Sequence, residues 1–214
     1  MFARFKRLGP ATVARVKALL FVASLLPFVR LLIGAIGSAT QAWSYNLGAN
    51  PLELITRSTG TWTIVFLCIT LSITPLRKLT GMVWLAQLRR MFGLFVFFYV
   101  ACHFTTYIWF DFFFDFAEIV ADIPKRPFVT IGFAAFVLLI PLAATSNNRI
   151  IKAMGAKRWL TLHKAVYLIA VLAVVHYWWL VKRDLTQPII YAVIVALLLG
   201  LRLWWWRKDR RQLT

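Results

Sequence analysis

Six stretches of the chain, near residues 18–37, 59–76, 91–110, 127–144, 160–181 and 187–206, are apolar for long enough to cross a bilayer, whose hydrocarbon core takes about 20 residues of helix at ~1.5 Å each. Runs of this kind leave few folds open. In lipid the backbone must satisfy its own hydrogen bonds, so a spanning segment is a helix or a strand of a closed barrel. None of the six shows the apolar–polar alternation of a membrane barrel. The expectation is an all-α polytopic membrane protein, a six-helix transmembrane bundle. Composition agrees: 61% of the 214 residues are hydrophobic, 16% are aromatic and the mean hydropathy is +0.75. Little length remains for a soluble domain.

Punctuation fits those boundaries. Pro127 and Pro188 stand at helix starts, Pro141 falls in the last turns of the fourth span, and Pro27 is expected to kink the first. The segment TGMVWLAQLRR, 80–90, is too short and polar to span and is expected to lie along a membrane surface. The sixth span is expected to be shortened by Trp204, Trp205 and Trp206.

Charge sets the orientation. With a cytoplasmic N-terminus, 18 of the 25 Lys and Arg residues fall on the inner side: Arg4, Lys6, Arg7, Arg15 and Lys17; Arg77, Lys78, Arg89 and Arg90; Arg149, Lys152, Lys157 and Arg158; Arg202, Arg207, Lys208, Arg210 and Arg211. This positive-inside asymmetry predicts that both termini are cytoplasmic. The outer loops keep five bases (Arg57, Lys125, Arg126, Lys182, Arg183) and six acids (Glu53, Asp111, Asp115, Glu118, Asp122, Asp184). The formal net charge of +18 therefore reports topology and contact with anionic lipid, and not nucleic acid. A nearly neutral outer face suits a transient partner complex with little salt dependence. Trp43, Tyr45, Trp109, Tyr177, Trp178 and Trp179 mark the outer interface, and Trp84, Trp159 and the Trp204–Trp206 triplet the inner one. The N-terminal basic stretch and first apolar run read as an uncleaved signal anchor, because Arg30 interrupts the run and further spans follow.

Several chemistries are excluded by what the motifs lack. Cys68 and Cys102 both fall in spans with no CxxC or CxxCH, so zinc fingers, covalent haem and a disulfide framework have no support, and buried free thiols are expected. No Gly-rich phosphate loop is present.

The three histidines all lie within spans, where an imidazole is expensive and needs a partner. His103 sits roughly 18 Å along the third span, counted from its inner end. His163 lies near the inner end of the fifth, and His176, about 20 Å further on, reaches the depth of His103. Neutral imidazoles at equal depth on neighbouring helices are what a six-coordinate haem iron requires. One spacing resists this: thirteen residues at about 100° each leave His163 and His176 about 140° apart on an ideal helix. Either the helix carries a π-bulge or a kink, or the rings serve sites on different faces.

The motifs SITPLRK (72–78), LRRMFGL (88–94), ACHFTTY (101–107), KRPFVTIGF (125–133) and GAKRWLTLHKAVYLIAVLAVVHYWW (155–179) resemble the haem-binding membrane subunits of bacterial periplasmic methionine sulfoxide reductase systems. These belong with the ferric reductase-like transmembrane domains. The resemblance covers essentially the whole chain and makes residues 1–214 one such domain, with basic cytoplasmic segments at 1–17 and 207–214. It implies a multi-pass b-type cytochrome of the bacterial inner membrane that binds haem b, one or two, and FMN. Such a subunit passes electrons from quinones or a cytosolic flavin reductase to a periplasmic molybdopterin-containing partner, which repairs oxidised methionine. It is an electron-transfer subunit and not the catalytic one.

The same resemblance assigns His103, His176 and His163 as metal ligands. Relatives with two haems carry a second third-span histidine fourteen residues before the first; here that position is Arg89. An inner haem would therefore keep His163 and lose its partner ligand, and FMN could take the space. The larger relatives' FAD and NADPH domain is not expected after the sixth span. Arg89 and Arg90 have two open readings, a positive-inside pair or cofactor-binding residues for a haem propionate or the FMN phosphate. Arg30 can snorkel to the outer interface or meet a propionate, and Lys164 is expected to reach the inner interface. The alternative function is a ferric or quinone reductase cytochrome with another acceptor.

Overall fold

The computed structural model describes residues 8–40, 47–181 and 183–211, with Arg210 and Arg211 described in their backbone only. Arg4, Lys6, Arg7, Trp43, Tyr45 and Lys182 lie outside the described residues, as do the side chains of Arg210 and Arg211. Among the described residues there are six membrane-length apolar helical segments and no strand. The first two helices are α1 (Pro10–Thr40) and α2 (Pro51–Thr80). A 3₁₀ turn, Val83–Gln87, leads into α3 (Leu88–Thr106), which runs on as a π turn over Tyr107–Asp111. After the short α4 (Phe116–Asp122) comes α5 (Pro127–Ala144), then the short α6 (Asn148–Met154). The fifth span is split into α7 (Ala156–His163) and α8 (Ala165–Leu180), and α9 (Thr186–Arg211) forms the sixth.

Helix ends follow their local chemistry. Asn50 caps α2 by accepting from Glu53 N at 3.3 Å, Pro51 opens it, and Gly81 closes it at φ 73° with Arg77 and Lys78 in the last turn. Pro127 opens α5, and Asn147 caps α6 through Ile150 N at 2.9 Å. Two expectations change. The 80–90 segment does not lie apart on a surface; its second half feeds directly into the third span, with Leu85 and Leu88 buried against the bundle. Nor do the tryptophans end α9, because Trp204 and Trp206 face outward and the helix continues through them.

The bundle is built from two tight helix pairs. In the first, α2 lies on α3 through a stack in which Phe66 meets Phe92, Phe95 and Tyr99 at ring separations of 6.1, 5.4 and 5.2 Å. In the second, α5 lies on α8, burying Ala135, Leu139 and Leu142 with Ile169 and Ala170. The pairs meet where Phe104 of α3 packs on Phe133 and Phe136 of α5, at 5.7 and 4.7 Å. Small residues permit the close approach of α8, since Ala170 is fully buried. The outward surfaces of α1, α5 and α9 are apolar and exposed, as lipid contact requires.

Near two prolines, side chains from neighbouring helices enter the backbone ladders. Pro75 has no N–H for Leu71 O, and Arg202 Nη2 donates to that carbonyl instead, at 2.5 Å. At the Pro27 kink, the hydroxyl of Tyr99 donates to Ser24 O at 2.8 Å and accepts from Phe28 N at 3.2 Å, inserting into the ladder of α1. Tyr99 is 0% exposed, so this bridge ties the loosely packed first helix to the core.

Candidate functional site

The two helix pairs each contribute one histidine to a common point. The rings of His103, at the end of α3, and His176, on α8, lie 6.3 Å apart between centroids with their planes at 77°. Nδ1 of His103 hydrogen-bonds to Thr56 O at 2.9 Å, with Thr59 Oγ1 at 3.5 Å, and Nδ1 of His176 to Phe128 O at 2.7 Å. A carbonyl can only accept, so each Nδ1 carries the proton and each Nε2 keeps its lone pair.

Both carbonyls belong to a repeated device that the sequence reading missed. Thr56 O stands four residues before Gly60, and Phe128 O four residues before Gly132, in TRSTG (56–60) and FVTIG (128–132). The bare Cα of each glycine is what admits the ring. A Cβ on Gly60 would lie 3.1 Å from Cε1 and 3.2 Å from Nδ1 of His103; one on Gly132 would lie 2.7 Å from the same two atoms of His176. The available signal was a glycine in the first third of each helix neighbouring a histidine helix.

The donor set fits a metal: two neutral imidazoles side by side, each with Nδ1 committed to a carbonyl and Nε2 left to donate, would together hold one metal ion. The Nδ1 bonds supply the carbonyl partners that would orient the imidazoles for a metal and raise their basicity.

His163 is elsewhere. Its Nε2 lies 3.2 Å from Thr145 Oγ1 and its ring 3.9 Å from that of Trp159. The awkward thirteen-residue spacing is relieved by a kink at Lys164, where Lys164 N bonds to Thr161 O and Tyr167 N to Lys164 O in tight three-residue turns. Both fifth-span histidines thereby face α5, one at each end. The π turn occurs instead in the third span, just beyond His103.

Arg89 and Arg90 diverge. Arg89 Nη2 donates to Thr74 Oγ1 of α2 at 2.8 Å, while Arg90 Nη1 donates to Asn148 Oδ1 of α6. Arg30 is exposed on α1, lining a groove toward α2 with Asn50, Glu53 and Arg57. Cys68 and Cys102 are free.

Beyond the histidine pair, toward the acidic end of the bundle, a clamp closes the structure. Asp122 accepts from Tyr107 Oη at 2.7 Å and pairs with Arg126, whose guanidinium lies over Tyr107, Phe112 and Phe128 at 5.7, 5.8 and 5.8 Å. Burial raises the Asp122 carboxyl, but the hydrogen bonds from Arg126 and Tyr107 and the charges of Arg126 and Lys125 outweigh it, so the group titrates below its ordinary value. The adjoining Phe113 and Phe114 adopt φ of 46° and 68°, a strained conformation for residues with side chains.

Comparison with known proteins sets this geometry in a family. Residues 59–174 match the family described as ferric reductase like transmembrane component. A relative from Herminiimonas arsenicoxydans, named protein-methionine-sulfoxide reductase heme-binding subunit MsrQ, is 55% identical over 203 residues, covering 94% of this chain and 90% of its own. Relatives of the same name from Ralstonia nicotianae and Rhodospirillum rubrum are 50% and 48% identical, over 95% and 86% of this chain and 92% and 85% of theirs. No solved structure matches. With six membrane-length helices and this extent of shared sequence, the chain belongs to the MsrQ family of ferric reductase-like transmembrane proteins, multi-pass proteins of the bacterial inner membrane.

Proposed function

We propose that this chain is the haem-binding membrane subunit of a protein-methionine-sulfoxide reductase, and that His103 and His176 are the axial ligands of a b-type haem. The observation that carries this reading is the ring pair itself: two imidazoles 6.3 Å apart, each with Nδ1 committed to a backbone carbonyl and Nε2 available. Haem bound there supplies one-electron chemistry by alternation of its iron between ferric and ferrous.

The chain's own residues do the rest. Thr56 O and Phe128 O fix the ring tautomers, and Gly60 and Gly132 let the rings seat closely on α2 and α5. Phe104, next to His103 in the chain, packs on Phe133 and Phe136 and gives the junction of the two helix pairs an apolar setting. The pair lies toward the end of the bundle that carries Asp111, Asp115, Glu118 and Asp122, the periplasmic side by the distribution of basic residues. That position brings the electron within reach of a periplasmic molybdopterin-containing reductase, with quinones or a cytosolic flavin reductase as donor at the other side and FMN as a second cofactor. His163, beside Thr145 and Trp159 at the other end of α5, stands apart from this pair, which supports leaving it out of this haem's ligand set.

A pyridine haemochrome assay and reduced-minus-oxidised spectra on purified protein test the reading. His103→Ala and His176→Ala should each abolish the low-spin spectrum and, together with it, reoxidation of the reduced subunit by the partner reductase and methionine sulfoxide. A low-spin spectrum that survives either substitution refutes the ligand assignment. Rapid reoxidation by ferric chelates, with none by the reductase, would favour the ferric reductase alternative.

A further inference from the structure

At the basic end of the bundle a second polar cluster stands apart from the histidine pair. Arg89 on α3 bonds to Thr74 Oγ1, and Arg202 on α9 bonds to Leu71 O and, through Nη1, to Tyr167 Oη at 2.8 Å. Leu71 and Thr74 are three residues apart on α2, so both guanidinium groups converge on one helical turn. Arg77 follows Thr74 by three residues and so stands on the same side of α2, one turn further on. The Nε atoms of Arg89 and Arg202 are buried and have no hydrogen-bond partner among the described residues. The ion pairs among those residues are Arg57–Glu53, Lys78–Asp209 and Arg126–Asp122, so no carboxylate pairs with Arg77, Arg89 or Arg202.

Converging cations with buried, unpaired donors are unfavourable in a membrane unless an anion joins them. The repair of the Pro75 break accounts for Arg202 Nη2 and leaves its Nε unexplained. A propionate of the haem at His103 does not serve, because α3 runs unbroken from Arg89 to His103, about 21 Å at ~1.5 Å per residue. One carboxylate would also undercompensate three cations. A phosphate, with three acceptor oxygens and close to two negative charges, matches the donor set.

We propose that Arg89, Arg202 and Arg77 form a binding site for a phosphate group at the basic end of the bundle. The occupant is a phosphate monoester, that of flavin mononucleotide or that of an anionic lipid of the phosphatidic acid type; the chemistry recognised is the same. The inference rests on the proposed function only in taking the flavin as first probe.

The test uses the full haem-loaded chain in phosphatidylcholine nanodiscs, titrated with flavin mononucleotide or riboflavin and followed by flavin fluorescence. Flavin mononucleotide should bind at least about tenfold more tightly than riboflavin, the scale of one charge-assisted bond. Arg89→Gln should erase that preference. Arg89→Lys should restore part of it, having the charge without the planar fork, and the exposed Lys152→Gln should leave it unchanged. In a second arm, native mass spectrometry of protein from phosphatidic acid nanodiscs asks whether the lipid is retained. Retention by the wild type and loss in Arg89→Gln supports the site with lipid as its occupant. Equal affinity for both flavins, together with lipid retention indifferent to Arg89, overturns the proposal. The haem spectrum reports the histidine pair separately. If Arg89→Gln loses that spectrum it has failed to fold, and Arg89→Lys decides.

Discussion

Replacing Gly132 by alanine would put a methyl group where the His176 ring stands. The added Cβ would lie 2.7 Å from Cε1 and Nδ1 and 3.2 Å from Cγ of that ring, against a comfortable carbon contact of about 3.5–4.0 Å. The imidazole must retreat by roughly 1 Å. That retreat stretches the 2.7 Å bond from Nδ1 to Phe128 O, worth about 0.5–1.5 kcal/mol, and moves Nε2 by half the length of a metal–nitrogen bond of about 2 Å. Loss of an orienting partner alone costs about 10–100-fold in metal affinity, so haem affinity should fall by at least that much and occupancy with it once haem is limiting. Gly60→Ala meets His103 at 3.1 Å and should cost less, up to about tenfold. Gly93→Ala, whose nearest neighbour is Thr70 Cγ2 at 4.0 Å, is the control. Each change raises helix propensity by about 1 kcal/mol, so helicity should not fall. Haem-to-protein ratio and the low-spin absorbance or paramagnetic resonance signal read the outcome. Full occupancy with an unaltered low-spin signal in Gly132→Ala, or a larger effect from Gly60→Ala, would refute the argument.

Four further outcomes are expected. Tyr99→Phe should lower stability by only about 1 kcal/mol, near the membrane average of ~0.6 for each bond lost, because Phe28 N–H and Ser24 O can then pair with each other; thermal unfolding reads this, with the haem spectrum unchanged. Arg202→Gln leaves Leu71 O unpaired and should cost about 1–3 kcal/mol, but distinctly less in a Pro75→Ala background, where residue 75 regains its N–H; a double-mutant cycle measures the coupling. His163→Ala should preserve the low-spin spectrum while slowing reduction from the quinol side in stopped-flow mixing; loss of the spectrum would show that His163 is a ligand or essential to the fold. Asp122 has a depressed pKa, so its contribution is complete above the unfolded value of about 3.9 and is lost as pH falls through the folded one. Protease sensitivity of the 107–126 segment should therefore be flat from about pH 5 to 8 and rise below about pH 4, whereas Asp122→Asn should raise it at neutral pH.

What the chain determines by itself is whatever depends on one segment and its solvent. Six apolar runs dictate six helices because lipid offers the backbone no other partner. Pro127, Asn50 and Gly81 set helix ends through their own dihedrals and caps. The common depth of His103 and His176 follows from a uniform rise per residue. The tertiary structure alone decided the rest, because each remaining feature joins residues whose separation in sequence carries no period. Gly60 reads as an ordinary small residue until His103, on another helix, packs against it; Gly132 and His176 repeat the case. Arg89 and Arg90 are equivalent on paper, yet one turns to Thr74 and the other to Asn148, because adjacent residues on a helix point about 100° apart toward different neighbours. The prolines at 27 and 75 are visible in the sequence, but not that Tyr99 would insert beside the first and Arg202 mend the ladder at the second. A freed carbonyl in a bilayer must find a donor, and which helix brings one is settled only when the helices pack.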